Sequence, residues 1–227
     1  LPDRPASAHK GDCGHTVIYA GSLGMAGAAM MAARAALHAG AGLTTVICPR
    51  AAMPVLQQEV PNATCLAAED QPTPKCDALL MGCGIAENDD TYANMMRLKA
   101  TDAYQVWDAG ALNLLAGHPQ QLGARAVITP HAGEAARLLG WEIPAVLSDK
   151  LGAAEALRAK YGCNVVLKSA VTVMLTADGQ QCALNTVGSP ALAKGGSGDA
   201  LAGILASLLG QGLPMFDAMR AACFRPK

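Results

Sequence analysis

Aromatic residues are scarce in this chain: two Trp, four Tyr and two Phe among 227 residues, or 4%. Charge is also scarce at 15%, and it is balanced, with 17 Lys and Arg against 18 Asp and Glu for a net charge of −1. The lack of positive excess argues against a nucleic-acid partner held by bulk electrostatics. A hydrophobic fraction of 52% excludes a disordered chain, which needs low hydrophobicity and high net charge. Unbroken apolar runs of spanning length are missing too. Two uncharged runs, 16–33 and 200–216, are interrupted, the first by Gly21, Gly24 and Gly27 and the second by Gly203, Gly210, Gly212 and Pro214. Each reads as a turn joined to a buried helix, not as a membrane span. No basic segment followed by an apolar one opens the chain, so no signal peptide is expected. The eight cysteines form no C-x-x-C pair, and several lie inside apolar runs. Free thiols in a reducing cytoplasm, without zinc, are expected.

What is present is mostly Ala, Val, Leu and Gly. Short β-branched runs alternate with longer Ala- and Leu-rich ones. Strands are expected over 16–20, 43–48, 78–81, 104–107, 126–128, 164–167, 172–176 and 181–184. Helices are expected over 25–39, 89–99, from about 111, from Thr129-Pro130 through 139, over 148–161 and over 198–209, with a further helical pattern just before Lys227. The methionines at 25, 30, 31, 95 and 96 fall on helical runs and read as core filler. Strands alternating with helices predict a mostly parallel sheet covered on both faces, and Asp178-Gly179 marks a late hairpin and hence an antiparallel edge. In such folds ligands sit beyond the carboxyl ends of the strands, where the glycine clusters 21–27, 82–84 and 195–198 fall. No linker divides the chain, so one domain is expected over 1–227.

Several nucleotide and nucleophile motifs are missing: there is no G-x-x-x-x-G-K-[ST], no G-x-G-x-x-G and no G-x-S-x-G. The strongest local signal is Ala193-Lys194-Gly195-Gly196-Ser197-Gly198-Asp199, followed by an apolar helix. Gly195, Gly196, Ser197 and Gly198 let backbone N–H groups converge on an anion at a helix N-terminus. Asp199 repels a phosphate there, which suits a residue that takes a proton from an attacking hydroxyl; it also suits a carboxylate that only complements the helix dipole. Lys168 ends a strand and opens Lys168-Ser169-Ala170-Val171-Thr172, a candidate nucleotide contact or a solvated lysine. His131, Glu134, Asp108 and Asn113 stand at strand ends or helix starts as further candidates.

As an ordered set these motifs resemble the NAD(P)H-hydrate dehydratases of the ribokinase-like superfamily. The residues that carry the resemblance are His9-Lys10-Gly11-Asp12, Gly24-Met25-Ala26-Gly27-Ala28, Gly82-Cys83-Gly84, Asp108 through Asn113, Thr129-Pro130-His131-Ala132-Gly133-Glu134, Val166-Leu167-Lys168 and Lys194 through Asp199. The resemblance implies a three-layer α/β/α fold with a mostly parallel central sheet and an antiparallel edge. It implies a repair lyase that removes water from the S epimer of hydrated NADH or NADPH. A nucleotide, ADP in bacterial members and ATP in eukaryotic ones, phosphorylates the ring hydroxyl, and phosphate then leaves. By the same resemblance Ala28, Gly84, His131 and Asp199 would contact the hydrated cofactor. Lys168, Ser169, Ala170, Val171, Thr172 and Gly198 would bind the nucleotide, and Asp199 would act as general base. Mg²⁺ would bridge phosphate oxygens, with no protein ligand named. A cytoplasmic tetramer without nucleic-acid or membrane partners is implied as well.

The chain departs from the family pattern at four positions. The family usually has Pro at Cys83 and Ala132, and Gly at Ser169 and Val171. A β-branched Val would be strained at 171 if that position required positive φ. Family members usually continue for another helix or two beyond Lys227, and many bacterial members carry an epimerase domain ahead of this one, with which the non-Met start is compatible. Two other readings share the phosphoryl site: a small-molecule kinase of the same superfamily, and a nucleotide-binding protein without turnover.

Overall fold

A computed structural model describes residue 5, residues 7–188, residue 191 and residues 194–224. Its centre is a nine-stranded sheet. In chain order the strands are β1 (His15–Tyr19), β2 (Leu43–Cys48), β3 (Thr64–Ala67), β4 (Ala78–Met81), β5 (Tyr104–Trp107), β6 (Ala126–Ile128), β7 (Asn164–Leu167), β8 (Thr172–Leu175) and β9 (Cys182–Asn185). Their order across the sheet is β3-β2-β1-β4-β5-β6-β7-β8-β9. Pairings from β3 through β7 are parallel, and β7-β8 and β8-β9 are antiparallel. The three-layer architecture with an antiparallel edge is therefore present. Strand order reverses between β1 and β4, the switch point where crossover loops diverge and leave a crevice.

Nine helices among the described residues cover the sheet: α1 (Ala26–His38), α2 (Met53–Glu59), α3 (Asp89–Lys99), α4 (Gly110–Gly117), α5 (Ala132–Leu139), α6 (Ile143–Ser148), α7 (Lys150–Tyr161), α8 (Ser197–Gly210) and α9 (Met215–Cys223). Helices α1, α2, α8 and α9 pack on one face and α3 through α7 on the other. Successive residues of β1 divide between them, Val17 and Tyr19 joining the second face and Ile18 the first, and Ala20 just after the strand continues the alternation. Both faces are buried, which is why the strands read as continuous apolar runs. The abundance of alanine is explained by α1, whose Ala29, Ala32, Ala33 and Ala36 form a fully buried stripe. Helix α8 lies directly on it. A methyl added to Gly203 would stand 2.2 Å from the Ala32 carbonyl oxygen, so the two backbones touch where a side chain would keep them apart.

Several expectations need correction. Helix α5 begins at Ala132, not at Thr129-Pro130, because the backbone there continues the sheet. Lys168 N donates to Pro130 O at 2.7 Å, and His131 bridges Lys168 in parallel. The helix expected over 148–161 is α7, which starts two residues later because the Asp149 carboxylate accepts Gly152 N at 2.8 Å and caps it; the short helix α6 ahead of it was not expected. Helix α2 and edge strand β3 were not expected from the sequence at all. Met25 and Met31 are 47% and 38% exposed, so the core-filler reading fails for them, while Met95 is fully buried. Ser169 and Val171 are not strained: among described non-glycine residues only Gln71 and Ala109 have positive φ. Ala193, at the head of the glycine-rich motif, lies outside the described residues.

Candidate active site

The site forms where β4, β5, β6 and β7 end and α8 begins. At the end of β4, Gly82 has φ +125°, and a methyl there would stand 1.8 Å from the Asp108 carbonyl oxygen. Only glycine lets this turn pass so close to the end of β5. Asp108 follows Trp107, the last residue of β5, and is buried. The next residue, Ala109, is held at φ 48°, ψ −120°, a conformation strained for any residue with a Cβ.

Lys168 leaves β7 and its Nζ meets Asp108 Oδ1 at 2.6 Å, with side-chain exposures of 19% and 2%. Burial alone would lower the Lys168 pKa, but the Asp108 and Glu134 carboxylates outweigh it and the net shift is upward. Gly198, in the first turn of α8, faces this pair: a methyl on it would stand 3.3 Å from Lys168 Nζ and 3.6 Å from Asp108 Oδ2. One residue on, Asp199 enters the same cluster. The Cys83 sulfur and carboxylate oxygens of Asp108 and Asp199 all lie within 4.8 Å of one another. Burial pushes the Asp199 carboxyl above its usual range; the nearby Cys83 thiol and Lys168 oppose the shift, while Asp108 adds to it. A carboxylate raised in this way is a better proton acceptor near neutral pH than an ordinary surface Asp.

The glycine-rich turn ends at Gly196, the residue before α8, with φ +90°. A methyl there would collide with the Met31 side chain, its sulfur 2.1 Å away. The first N–H groups of a helix have no partners within the helix, and here Ser197 N reaches only Lys194 O, at 3.5 Å. The turn thus presents donors and the positive end of the helix dipole beside Lys168 and Asp199.

The other expected residues divide into two groups. Ala28 and Gly84 come together, since a methyl on Gly84 would stand 2.8 Å from Ala28 Cβ. His131 is the cap of α5: its Nδ1 accepts from Gly133 N at 3.0 Å and Glu134 N at 3.2 Å, which leaves the proton on Nε2, 3.5 Å from Glu134 Oε1. Glu134 Oε2 accepts His131 N at 2.8 Å in return. Burial raises the Glu134 pKa, opposed by Lys168 and the His131 amide. In the run 168–172 the hydroxyls turn inward: Ser169 Oγ donates to Val171 O at 2.5 Å and Thr172 Oγ1 to Ser169 O at 3.2 Å. These bonds tie the segment to itself. Asn113 bonds Glu87 at 2.5 Å and also Arg137, away from the cluster. Sequence reasoning placed Cys83 only in a turn; it is fully buried, with its sulfur within 4.8 Å of carboxylate oxygens of Asp108 and Asp199.

A cavity of about 810 Å³ opens at the opposite pole, beside His15, Asp77 and Tyr104 at the amino ends of β1, β4 and β5. There Arg125 is paired with Asp102, and His15 Nε2 with Thr45 at 2.8 Å.

A mostly parallel α/β sheet whose strand ends meet a glycine-rich turn, with an aspartate in the first turn of the helix that follows, is a ribokinase-like architecture. The comparisons narrow the class. A family model described as NAD(P)H-hydrate dehydratase matches residues 16–226, and the chain belongs to that family. The chain is 39% identical over 225 residues to a bifunctional NAD(P)H-hydrate repair enzyme of Vibrio cholerae, covering 97% of this chain and 45% of that protein. It is 34% identical over 233 residues to the ADP-dependent (S)-NAD(P)H-hydrate dehydratase of Neisseria meningitidis, covering 97% of this chain and 77% of that one. Among solved structures it resembles the ADP/ATP-dependent NAD(P)H-hydrate dehydratase of Bacillus subtilis, co-crystallised with ATP and Mg²⁺. The TM-score there is 0.87 at 28% identity, over 98% of this chain and 81% of that one. The chain spans less than half the length of the bifunctional relatives it matches.

Proposed function

We propose that this chain is an ADP-dependent dehydratase of hydrated NADH and NADPH, forming a single ribokinase-like domain. The observation that carries the reading is Asp199 in the first turn of α8, beside the Gly195–Gly198 turn and the Lys168–Asp108 pair. Direct loss of hydroxide from the hydrated ring is slow because hydroxide is a poor leaving group. Asp199 takes the proton of the ring hydroxyl as its oxygen attacks the terminal phosphorus of the nucleotide. The bridging P–O bond breaks and AMP leaves. The N–H groups of the glycine-rich turn hold the equatorial oxygens of the phosphoryl group in transit, and Lys168 supplies a cation to the nucleotide phosphates. Phosphate then departs with its C–O electron pair, pushed by the ring nitrogen lone pair. A proton lost from the adjacent ring carbon restores the double bond. Ala28, Gly84 and His131 position the dinucleotide.

Mg²⁺ demands oxygen ligands and retains several waters. Here the converging donors are a thiol, which suits softer metals, and two carboxylates, one of them already engaged by Lys168. This set fits an ion that arrives on the nucleotide with its own waters and needs no direct side-chain ligand. Such an ion would neutralise charge on the phosphoryl group. The reading keeps the cytoplasmic setting, which eight free thiols support. It also keeps the tetramer, which the exposed apolar side chains of Trp141, Ile143, Leu147 and Leu151 on and beside α6 support. No described helix is long and apolar enough to cross a membrane.

The test is turnover of hydrated NADH with ADP, with ATP and without nucleotide, read as recovery of the near-ultraviolet absorbance of the dihydronicotinamide ring. Recovery with ADP is expected. Recovery with ATP alone would reverse the cosubstrate, and no recovery despite nucleotide binding would defeat the reading.

A further inference from the structure

Cys83 occupies the turn after β4 and is fully buried. Its sulfur and the carboxylate oxygens of Asp108 and Asp199 lie within 4.8 Å of one another. The two carboxylates differ in their partners. Asp108 is held by Lys168 Nζ at 2.6 Å, whereas Asp199 has no ion pair among the described residues. An ionised carboxylate only accepts hydrogen bonds, and a neutral thiol has one proton to donate. A thiol enclosed between two carboxylates keeps that proton: burial pushes Cys83 well above its usual range, and Asp108 and Asp199 push it further. It is thus a permanent donor and not a nucleophile.

We propose that Cys83 is a positioning residue for the catalytic base, its S–H donating to the Asp199 carboxylate and fixing that side chain in the first turn of α8. The inference rests on the function proposed above. The backbone around Cys83 is already fixed, since Gly21 N donates to Cys83 O at 2.8 Å and Gly82 has no room for a side chain. The sulfur is therefore held from a rigid turn. The thiol bond also opposes the desolvation of the carboxylate, so Asp199 stays ionised over more of the working pH range. The titratable groups acting on Asp199 are Cys83 after β4, Asp108 after β5 and Lys168 after β7.

Two measurements on the intact protein test it. The first needs no turnover: the infrared S–H stretching band of Cys83, isolated as the difference between wild type and Cys83→Ala, with Asp199→Asn as the comparison. A lowered frequency that changes on Asp199→Asn is expected. The second is kinetic. Cys83→Ala should lower kcat about tenfold, the equivalent of one lost hydrogen bond to a charged group. Nucleotide KM should hold, and the acid limb of the pH–rate profile should move to higher pH. Cys83→Ser, which restores a donor, should recover part of both changes. A purely structural cysteine would lower thermal stability and leave the acid limb unmoved. A free-thiol band together with wild-type kcat and pH profile in Cys83→Ala would overturn the inference. Wild-type protein that shows the bonded band yet no turnover would defeat the proposed function and leave the hydrogen bond standing.

Discussion

Replacing Asp108 by Asn removes one charge from the most buried ion pair at the site and leaves the shape of the side chain intact. Lys168 is then left with its ammonium inside the protein, its side chain only 19% exposed. Breaking a buried pair costs about 3–5 kcal/mol, because the remaining charge has lost both water and partner. Two observations argue for the lower end. Glu134 still acts on Lys168, and loss of the Asp108 charge relieves repulsion on Asp199. A cost of about 3 kcal/mol in a domain of this size lowers Tm by about 6–12 °C. The assay is thermal unfolding followed by circular dichroism on wild type, Asp108→Asn, Lys168→Met and the double variant. The double variant has no unpaired charge at this position and should be less destabilised than the two single changes summed, with a coupling of about 2 kcal/mol. A Tm for Asp108→Asn within about 2 °C of wild type, or strict additivity, would refute the claim that the pair is buried and mutually dependent.

Further predictions concern the base and its surroundings. Asp199→Asn should lower kcat by about 10²–10⁴ and leave the nucleotide dissociation constant nearly unchanged, as measured by calorimetry. The same variant should melt higher at neutral pH. The Asp199 pKa is raised on folding, so the folded state binds its proton more tightly than the unfolded chain does. Ionised Asp199 therefore destabilises the fold at pH values above that raised pKa, and the cost vanishes as pH falls below the unfolded value. Melting curves of the two proteins should converge in acid. Ala109→Gly should stabilise the protein, since it relieves a strain of about 1–3 kcal/mol at φ 48° against about 0.5–1 kcal/mol of added chain entropy; a lower Tm would count against the strain. Gly82→Ala should yield no soluble protein, because its methyl would stand 1.8 Å from a backbone oxygen with nowhere to move.

Much of the fold was legible because both faces of the sheet are buried. The run 78–81 is apolar throughout and 43–48 is β-branched at four of its six positions, and the structure puts β4 and β2 on those same residues. Helix α3 was equally clear at 89–99, and Asn88 before it accepts Thr91 N at 2.9 Å as the cap. Strand β3 was not legible: at four residues, its Thr64-Cys65-Leu66-Ala67 sequence carries little β-branched signal. The start of α5 was misplaced because a local rule, Pro at the first helical position, lost to a bond from Lys168 far along the chain. Met25 and Met31 were assigned to the core by helical spacing, which cannot tell a sheet-facing position from one at the mouth of a site. The cluster itself was half visible. Sequence placed Asp199 and Lys168 at a helix start and a strand end. The pairing of Lys168 with Asp108, 60 residues away, and the approach of Cys83 to Asp199 are products of the sheet order.

The central claim is that phosphoryl transfer here serves elimination and does not end in a phosphorylated product. The most direct measurement is the product balance of one reaction of hydrated NADH with ADP. AMP, inorganic phosphate and restored NADH would be quantified together by chromatography. The account predicts the three in equal amounts, with no stable phosphorylated nicotinamide adduct. AMP formed alongside an accumulating phospho-adduct, without phosphate or NADH, would contradict it and identify a kinase.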